Sequence, residues 1–482
     1  MKLAHLLSVL GHSCHQDVDI SALTCDSRTV TPGSLFVAIP GAQSDGVQYI
    51  DQAVALGAAA VVSPVPLACP VPLVVVPDTR IALAHLAAAF YGYPAKGLTL
   101  IGITGTKGKT TTAHMLRDIL LSAGHPTGMI GTMGAYMGHQ KWADCPNTTP
   151  EPLLLHRLLH DMVEQGCTHV VMEVSSQAMK QHRVAGLTFA AGVFLNLSPD
   201  HIGPGEHRDY GEYTACKAAF FAQCALGVGN GEDMAWPQMA AQLPPEALVS
   251  TFGFSPTCHV QGLTVAPMES SSALGSRFTV AGCDIPYTIP LPGRHHVQDA
   301  LAAVAVCRQL GLPEEAIRQG LAQATVPGRA QMFPNDRGIR VIVDYAHNAA
   351  SFRAILSCLH GYPHRKIIVV FGAGGNRPPM RRLDMAQVAA ELADYAVVTT
   401  DNPRWEPVED ICRSITQALG RQIPWEVVYD RREAIRHALD MAQEGDMVAL
   451  LGKGHESYIE TCGVREPFSE WAVLEEYFHN PR

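Results

Sequence analysis

The chain has 482 residues, of which 47% are hydrophobic and 17% are charged, and its formal net charge is -10 at pH 7. This length predicts about three domains, each large enough to bury a core of its own. The negative charge argues against a protein that binds nucleic acid through a broad basic surface. An anionic ligand would therefore have to be held by a local group of residues.

The 13 cysteines are scattered along the chain and form no C-x-x-C pair. This spacing predicts reduced thiols and argues against a disulfide framework or a zinc site. Residues 1–10 carry one lysine and an apolar run that is interrupted by His5. The segment is too short to span a bilayer and is a poor match to a signal peptide. We therefore expect a cytoplasmic protein.

Residues 1–92 are predicted to form a small α/β domain without a phosphate-binding loop of its own. Strand-like runs and one alanine-rich helical pattern alternate in it, at 34–39, 50–56, 60–62 and 73–76. The segments 26–28 and 41–46 are typical of turns, where polar residues could face a ligand. From these residues alone, exposed turns are the simpler interpretation.

The segment 98–112 combines an apolar run, a glycine turn and the start of a helix. Residues 98–103 are suited to a buried strand, and a helical pattern begins after Thr110. The backbone of such a turn, together with the N-terminus of the helix, can bind phosphate. Lys109 would reach the outer phosphates, and the Thr110 hydroxyl would ligate magnesium. The match is to G-T-x-G-K-T-T, because Ile103 replaces the first glycine of the full P-loop pattern.

Residues 93–328 are predicted to form a central P-loop domain, with a mostly parallel sheet and helices on both faces. Strand candidates at 170–174 and 191–195 each end in polar residues, at the sheet edge where such folds bind ligands. Residues 227–245 are rich in glycine, proline and acidic residues. This composition predicts a loop.

Two residues associated with these strands are candidate metal ligands. Glu173 lies within an apolar run, where an unpaired carboxylate would be energetically costly. His201 follows the next strand, in the segment N-L-S-P-D-H. Either residue could be structural, Glu173 in an ion pair and His201 in a loop. Their positions after successive strands beside a P-loop favour metal binding.

Residues 329–482 are predicted to form a Rossmann-like C-terminal domain. Its strand candidates are the apolar runs at 341–344, 367–371, 396–400 and 447–451. The glycine-rich turn 372–375 is similar to a dinucleotide-binding fingerprint but lacks the third glycine. Alone it is a weak signal.

The order of the motifs is more specific than any single motif. The chain contains G-T-K-G-K-T-T, M-E-V-S-S, N-L-S-P-D-H, Y-T-A-C-K, V-D-Y-A-H and G-K-G-H-E in this order. Over nearly its whole length it resembles the Mur ligase family, and within it the branch that adds a diamino acid to a UDP-muramoyl dipeptide. The resemblance implies a three-domain α/β fold, ATP as co-substrate and Mg²⁺ as cofactor. It also implies amide formation through an acyl phosphate in peptidoglycan precursor synthesis.

The resemblance assigns ATP and metal sites residue by residue. The implied ATP-binding positions are Gly105, Thr106, Lys107, Gly108, Lys109, Thr110, Thr111 and His347. The implied magnesium ligands are Thr110, Glu173, His201 and Lys217, and the implied catalytic residues are Lys109, Glu173, His201 and Lys217. Lys217 would be carbamylated to N6-carboxylysine, which turns a cation into a carboxylate-like ligand. Without the resemblance, Lys217 would be taken for a solvated lysine on a helix.

The resemblance also assigns the other two substrates. The implied positions for the UDP-muramoyl dipeptide are Cys25, Ser27, Ala42, Gln43, Ser44, Asn147, Thr148, Thr149, Ser175, Gln181 and Arg183. The implied positions for the incoming amino acid are Arg382, Asp401, Asn402, Pro403, Arg404, Gly452 and Glu456. The expected partners are therefore small molecules, with no nucleic acid, no membrane insertion and a monomeric chain.

The amino-acid pocket distinguishes between two diamino acids. Residues 401–404, D-N-P-R, match the motif associated with meso-diaminopimelate. Arg404 offers a planar pair of donors to the carboxylate that diaminopimelate has and lysine lacks, while Glu456 would face the distal ammonium. A plain turn with a solvated Arg404 is the simpler alternative. Lys107 and the segment 201–207 are more similar to the lysine-adding branch, so L-lysine or another diamine stays an alternative substrate.

Other departures and alternatives concern the nucleotide and the reaction class. His296 and Asp299 stand where the family has asparagines on the adenine side, which puts the base contacts in doubt. A folylpolyglutamate-type ligase is disfavoured by the complete first domain and by the D-N-P-R motif. A non-catalytic ATP-binding regulator is disfavoured because the P-loop lysine and all the implied metal ligands are present.

Overall fold

The computed structural model describes residues 1–14, 16–41, 45–200, 202–203, 205–270 and 273–479. The chain forms two compact units, one of residues 1–261 with 301–320 and one of residues 262–300 with 321–482. The predicted range 1–92 and most of 93–328 belong to the first unit, and 329–482 belongs to the second. The domain boundaries themselves stay predictions.

The described residues of the first unit begin with a parallel sheet of four strands. These are β1 (Ala22–Thr24), β2 (Ser34–Val37), β3 (Ala58–Ser63) and β4 (Leu73–Val75), in that spatial order. The helices of this segment are α1 (Leu3–Ser8), α2 (Ile50–Ala55) and α3 (Thr79–Phe90). Every residue of β2 is buried, as is typical of a parallel strand. The predicted α/β character of this segment is confirmed.

The larger sheet of this unit has the P-loop strand near its centre. Its strands are β5 (Thr99–Thr104), β6 (Thr127–Gly131), β7 (Gly134–Met137), β8 (Gln140–Ala143), β9 (His169–Glu173), β10 (Ala191–Phe194), β11 (Leu226–Asn230) and β12 (Leu248–Gly253). They lie in the order β12-β11-β10-β5-β9-β6-β7-β8. The strands from β12 to β6 are parallel, and β7 and β8 are antiparallel. The predicted mostly parallel sheet is confirmed.

Helices connect these strands. They are α4 (Lys109–Ser122), α5 (Pro152–Glu164), α6 (Ser176–Lys180), α7 (Tyr210–Ala219) and α8 (Trp236–Ala240). The predicted helix after the glycine turn is therefore α4. It buries Ala113, Leu116 and Ile119 on the face that packs into the core, as its periodicity predicts.

The prediction of a loop over residues 227–245 is wrong. β11 is a buried strand, and α8 begins at Trp236. A Cβ at Gly229 would overlap the Trp236 ring, and one at Gly227 would overlap Leu243. The glycines therefore let these side chains pack directly onto the strand, whereas in the sequence they resembled turn residues.

The next segment contributes three strands and two helices. They are β13 (Val260–Glu269), β14 (Leu274–Val280), β15 (Tyr287–Ile289), α9 (Arg294–Gln309) and α10 (Glu314–Gln323). β14 pairs antiparallel with β13 on one side and with β15 on the other.

The second unit contains the Rossmann-like sheet. Its strands are β16 (Gln331–Phe333), β17 (Arg340–Asp344), β18 (Ile367–Phe371), β19 (Tyr395–Val398), β20 (Trp425–Val427) and β21 (Met447–Leu451). The order is β16-β17-β21-β18-β19-β20, and β16 pairs antiparallel with β17 while the others are parallel. The four predicted strands β17, β18, β19 and β21 are confirmed. Their carboxyl ends lie side by side, so the turns that follow them meet at one edge.

Helices and a hairpin complete this unit. The helices are α11 (Ala349–Leu359), α12 (Met380–Leu392), α13 (Val408–Leu419), α14 (Arg431–Met441) and α15 (Glu470–His479). The hairpin consists of β22 (Tyr458–Thr461) and β23 (Val464–Pro467). None of the helices in the described part of the chain has both the length and the apolar composition needed to cross a bilayer.

Candidate active site

The turn between β5 and α4 places a lysine over the N-terminus of a helix. Gly105 and Gly108 have φ values of 153° and 86°, in the region that favours glycine. The Lys109 ammonium donates to the carbonyls of Gly105 and Thr106 at 2.9 and 3.2 Å. Thr111 is buried in the first turn of α4. Backbone N–H groups at a helix N-terminus, with a lysine beside them, are suited to bind phosphate.

Side chains from the following strands hold this turn in place. The Lys107 backbone N–H donates to Asn196 Oδ1 at 2.9 Å, and the Lys107 ammonium pairs with Asp200 at 3.3 Å. The Thr106 and Tyr213 hydroxyls share a hydrogen bond of 3.0 Å. Asn196 and Tyr213 appeared in the sequence only as members of motifs, without a role of their own. Here both shape the P-loop.

Glu173 is buried at the end of β9, with 2% of its surface exposed. Its Oε1 accepts hydrogen bonds from the Thr110 hydroxyl at 2.9 Å and from the Thr132 N–H at 3.0 Å, and its Oε2 accepts one from the Thr132 hydroxyl at 3.1 Å. A Cβ at Gly131 would overlap Glu173 Oε1, so the glycine makes room for the carboxylate. Thr110 and Glu173 lie together. Gly131 and Thr132 were not predicted, because neither carries a signal in sequence.

The donor set around Glu173 fits a magnesium ion. A hydroxyl and a carboxylate are hard oxygen ligands, which Mg²⁺ prefers. The second predicted ligand pair is different: His201 lies outside the described residues, and the Lys217 amine is not a magnesium ligand unless it is modified. Among the described residues, no three His, Cys, Asp or Glu side chains form a cluster suited to a metal. Oxygen ligands such as Thr110 would therefore have to contribute.

Lys217 in α7 is 2% exposed, so it is not the solvated lysine that its local sequence suggests. Its Nζ donates to the Gly105 carbonyl at 2.8 Å and lies 4.8 Å from the centroid of the Tyr213 ring. Burial, and then the nearby Lys109 ammonium, lower the pKa of Lys217 well below its usual value. The neutral amine, which is the nucleophilic form of lysine, is thereby favoured beside the P-loop.

Four of the positions predicted for the dipeptide form one hydrogen-bonded network beside Glu173. The Thr149 hydroxyl donates to the Glu173 carbonyl at 2.9 Å and accepts from the Ser175 N–H at 3.0 Å. The Arg183 guanidinium donates to the Thr149 carbonyl at 2.8 Å and to Gln181 Oε1 at 2.7 Å. The network fixes the segment that follows β9 against the turn that precedes α5.

The remaining dipeptide positions are less connected. The Thr148 hydroxyl shares a hydrogen bond of 3.1 Å with Thr132, which places it close to Glu173, and Asn147 is half-buried next to it. The Ser27 hydroxyl donates to Gln52 Oε1 at 3.0 Å. The predicted positions Ala42, Gln43 and Ser44 lie outside the described residues.

Cys25 is half-buried after β1. Burial, together with the carboxylates of Glu151 and Asp26, raises the pKa of its thiol. The neutral thiol is therefore the favoured form, and Cys25 is suited to packing or weak hydrogen bonding and not to nucleophilic chemistry.

In the second unit, a pocket opens at the carboxyl ends of β17, β18, β19 and β21. It encloses about 480 Å³, counting the space that is open to solvent. Its lining is Tyr345, His347, Gly372, Ala373, Gly374, Arg377, Arg381, Met385, Asp401, Asn402, Arg404, Gly452 and Glu456. Arg382 lines an adjoining smaller cavity. The pocket thus brings together His347 and most of the predicted amino-acid positions, but not Pro403.

Glu456 is held by two side chains of this pocket and by the buried Lys453. Its Oε2 accepts hydrogen bonds from the Lys453 ammonium at 2.7 Å and the Asn402 amide at 2.9 Å, and its Oε1 accepts one from the Tyr345 hydroxyl at 3.3 Å. Lys453 is fully buried and also donates to Asn402 Oδ1 at 3.0 Å. The Asn402 amide therefore orients Glu456. Lys453 belongs to the G-K-G-H-E motif, but sequence reasoning assigned it no role.

Gly452 and Asp401 make a close approach in the floor of the pocket. Gly452 has a φ of 114°, and a Cβ there would lie 2.6 Å from Asp401 Oδ2. Asp401 Oδ1 accepts from the Asn402 backbone N–H at 2.6 Å. The carboxylate therefore braces the D-N-P-R turn, and only glycine fits opposite it.

Arg404 is held in a strained backbone conformation. Its φ is 54°, which is uncommon for a residue with a side chain. Its N–H donates to the Glu460 carbonyl at 3.0 Å, and its carbonyl accepts from the Cys462 N–H at 2.7 Å, so the β22–β23 hairpin clamps it. Its guanidinium donates to the Gly375 carbonyl at 2.9 Å. The alternative of a freely solvated Arg404 does not describe this arrangement.

Three other residues stand at positions that the resemblance associates with the nucleotide. His347 Nδ1 donates to the Tyr345 carbonyl at 2.7 Å, and the two rings pack with centroids 4.5 Å apart. Burial lowers the pKa of His296 well below its usual value and raises that of Asp299 well above it. Both are favoured in neutral forms, and each then carries a donor and an acceptor, as an asparagine side chain does.

Comparison with known proteins places this geometry in a family. Family models match three segments: "Mur ligase family, catalytic domain" over residues 19–91, "Mur ligase middle domain" over 103–307, and "Mur ligase, glutamate ligase domain" over 328–454. The UDP-N-acetylmuramoyl-L-alanyl-D-glutamate–2,6-diaminopimelate ligase of Geobacillus thermodenitrificans is 39% identical over 480 residues, 95% of each chain. The chain belongs to the Mur ligase family.

Solved structures agree with this assignment. A UDP-N-acetylmuramoyl-L-alanyl-D-glutamate–2,6-diaminopimelate ligase is similar to this Mur ligase with a TM-score of 0.73 and 27% identity, over 99% of both chains. The MurF ligase of Thermotoga maritima, solved in complex with ADP, shares the fold with a TM-score of 0.60 and 19% identity, over 89% of this chain and 93% of that chain. This Mur ligase is an ATP-dependent enzyme that forms amide bonds, and the predicted fold class and enzyme class are confirmed.

Proposed function

We propose that this Mur ligase joins meso-2,6-diaminopimelate to UDP-N-acetylmuramoyl-L-alanyl-D-glutamate in peptidoglycan precursor synthesis. Its similarity over 95% of the chain to a ligase of that name supports both substrates. The observation that carries the choice of amino acid is that Arg404 lines the same pocket as Glu456. ATP is converted to ADP and phosphate.

The chemistry proceeds in two steps. The γ-carboxylate of the D-glutamyl residue attacks the γ-phosphorus of ATP, and the bond to ADP breaks to leave an acyl phosphate. The amine of diaminopimelate then attacks the acyl carbon to form a tetrahedral intermediate. Its collapse releases phosphate, the amine loses a proton, and the amide remains.

The P-loop residues supply charge for the first step. A carboxylate and a triphosphate repel each other, and the Lys109 ammonium with the N-terminus of α4 offsets that repulsion. Thr110 and Glu173 would hold a magnesium ion, which supplies further charge stabilisation at the phosphates when bound. His201 and a carbamylated Lys217 are the proposed ligands of a second ion.

The environment of Lys217 supports its carbamylation. The buried amine with a lowered pKa is available as a nucleophile. It attacks carbon dioxide, a C–N bond forms, and the amine proton leaves to solvent. The product carries a negative charge beside the Lys109 ammonium, where an unmodified Lys217 cation would be repelled.

The pocket of the second unit supports the recognition of two oppositely charged groups. The planar Arg404 guanidinium can donate two parallel hydrogen bonds to a carboxylate. A lysine residue at position 404 could not donate such a pair. Glu456 presents an anionic oxygen to the ammonium on the same carbon. L-lysine carries the ammonium but not the carboxylate, so it would leave Arg404 without its ligand.

The proposal is tested by steady-state phosphate release with UDP-muramoyl dipeptide, ATP, Mg²⁺ and either amino acid. We expect kcat/KM to be at least tenfold higher for meso-diaminopimelate than for L-lysine. Faster turnover with lysine would establish the alternative substrate. No phosphate release with either amino acid would contradict both proposed substrates, and turnover of a folate substrate would favour the folylpolyglutamate type.

We further infer a cytoplasmic monomer with domains at 1–92, 93–328 and 329–482. The family models match residues 19–91, 103–307 and 328–454, and these three separate ranges support the proposed domains. No disulfide joins the cysteines in the part of the chain that the structure describes, which is typical of a reducing compartment. Light scattering coupled to size exclusion tests the oligomeric state, and limited proteolysis near residues 92 and 328 tests the boundaries.

A further inference from the structure

A carboxylate that no motif singled out lies against one of the pocket arginines. Arg382 is in the first turn of α12, with 5% of its side chain exposed. Its NH2 group lies 2.8 Å from Oε2 and 2.7 Å from Oε1 of Glu406. Glu406 follows the D-N-P-R turn by two residues, and 28% of its side chain is exposed.

Glu406 also connects the segments that surround Arg382. Its Oε2 accepts from the Asn376 backbone N–H at 3.2 Å, and its own N–H donates to the Pro403 carbonyl at 3.0 Å. A Cβ at Gly375 would lie 3.1 Å from the Glu406 Cβ and would overlap the Pro403 carbonyl. The glycine turn after β18, the first turn of α12 and the turn after β19 therefore meet at one side chain.

The same glycine turn positions the second arginine. Arg404 donates to the Gly375 carbonyl, one residue before the Asn376 N–H that Glu406 accepts. The contact with Glu406 uses NH2 of Arg382, and its Nε and NH1 make no hydrogen bond among the described residues, so both can donate to another acceptor. A guanidinium held at one end in this way loses less rotational freedom when it binds a carboxylate.

Glu406 could instead mask Arg382 by neutralising its charge. The charges of the pocket argue against this role: Arg377, Arg381 and Arg404 line it together with only two carboxylates, Asp401 and Glu456. The attraction for an anionic group therefore does not depend on Arg382 alone. Glu406 instead determines the orientation of the Arg382 guanidinium.

We propose that Glu406 is a positioning residue for the recognition of a dicarboxylic diamino acid, because it fixes the Arg382 guanidinium and the turn that carries Arg404. This inference rests on the proposed function, since it concerns the affinity for meso-diaminopimelate. It goes beyond the pattern of the D-N-P-R motif, which does not include residue 406.

The test compares E406A and E406Q with a control, E409Q, on the exposed side of the first turn of α13. Kinetic constants are measured for meso-diaminopimelate and for ATP, and thermal unfolding checks the fold of each variant. We expect E406A to raise KM for diaminopimelate about tenfold, equivalent to about 1.4 kcal/mol. E406Q keeps an acceptor for Asn376 and should show a smaller increase. In both variants kcat and KM for ATP should change less than twofold, as should all constants of E409Q.

A double-mutant cycle separates positioning from general damage. Binding of diaminopimelate is measured by calorimetry for E406A, R382A and the double variant. If Glu406 acts partly through Arg382, removing Glu406 in the R382A background should cost less affinity than removing it from the wild type. Fully additive losses would overturn the proposal.

Three kinetic outcomes would also overturn it. An unchanged KM for diaminopimelate in E406A would show that the contact is incidental, and a lowered KM would show masking. A parallel rise in KM for ATP with a lowered melting temperature would show a structural role only. If the wild-type enzyme turns over lysine but not diaminopimelate, both this inference and the proposed function fail. If wild type uses diaminopimelate and E406A is unchanged, only this inference fails.

Discussion

The P-loop edge of the first unit and the pocket of the second unit hold their charged side chains in different ways. At the P-loop, Glu173 accepts hydrogen bonds from threonine hydroxyl and amide groups, and the Lys109 ammonium donates to the Gly105 and Thr106 carbonyls. In the pocket, carboxylates and cations pair directly, as Lys453 does with Glu456 and Arg382 with Glu406. Glu173 is therefore held by neutral partners, whereas Glu406 and Glu456 are held in ion pairs.

This difference corresponds to two tasks. Charges that are held by neutral groups keep most of their field, which suits a site that must attract a triphosphate and overcome its repulsion of a carboxylate. Charges that are already paired attract less, but their orientation is fixed. A pocket of this kind is suited to distinguishing two amino acids that differ by one carboxylate. Three substitutions test this comparison and a fourth, at a buried histidine outside both regions, is its contrast; they follow from the largest expected effect on activity to the smallest.

Lys217→Met removes the amine that we propose to be carbamylated. We expect kcat to fall about 10³-fold, because a charged group at the phosphates is lost from a buried site. Phosphate release at saturating substrates measures the effect, and a short-chain carboxylic acid should restore part of the activity. Lys141→Met, an exposed lysine, is the matched control. Full activity of the Lys217 variant would contradict the proposed chemistry.

Arg404→Lys keeps the charge of the pocket but removes the planar donor pair. We expect kcat/KM for meso-diaminopimelate to fall about 10- to 100-fold, since hydrogen bonds to charged groups contribute about 1.5–3 kcal/mol. The value for L-lysine should stay within about twofold, because lysine has no carboxylate for this residue. An equal fall for both amino acids would mean that Arg404 supports the fold of the turn and does not select the substrate.

Glu470→Gln breaks a buried ion pair beneath the pocket. Arg431 and Glu470 are both fully buried 2.6 Å apart, and Arg431 also donates to the Thr400 and Leu451 carbonyls at the ends of β19 and β21. An unpaired buried cation should cost about 3–5 kcal/mol of unfolding free energy, while kcat at low temperature changes only a few-fold. Urea denaturation measures the loss.

The matched control for that pair replaces both partners, as Arg431→Met with Glu470→Leu. Because neither buried charge then stays unpaired, we expect most of the lost stability to return. If the double variant is as unstable as Glu470→Gln, the backbone hydrogen bonds of Arg431 matter more than the ion pair.

His156→Leu should leave activity unchanged and alter only the pH dependence of stability. Neither ring nitrogen of His156 has a hydrogen-bond partner among the described residues, and burial lowers its pKa from 6.5 to about 4. The folded-state pKa of His156 lies below its unfolded-state value. The contribution of the neutral His156 to the free energy of unfolding is therefore fully present above pH 6.5 and is lost as the pH falls through about 4. We expect the Leu variant to lack this acid-dependent loss in denaturant titrations between pH 7 and pH 4. An identical pH profile would show that another group controls it.

Local sequence patterns were sufficient to predict the strands and the helix that position the P-loop and the pocket. The apolar run of β5, the glycine turn and the periodicity of α4 predicted the P-loop from neighbouring residues alone. In the same way, the runs that became β17, β18, β19 and β21 predicted the sheet edge where the pocket opens. The prediction of a loop at β11 was wrong because glycine occurs both in turns and in strands against which a large side chain packs. The local sequence does not distinguish the two cases.

The sequence by itself determined which segments form strands, turns and helices, and the order of its motifs indicated the family, because these properties depend on neighbours along the chain. Only the tertiary structure decided that Lys217 is buried against Gly105, that Thr132 shares the carboxylate of Glu173, and that Glu406 holds Arg382. Each of these contacts joins segments that are brought together by the order of strands in a sheet. Desolvation and ion pairing depend on these tertiary contacts, and they determine the protonation and the orientation of the charged side chains in both sites.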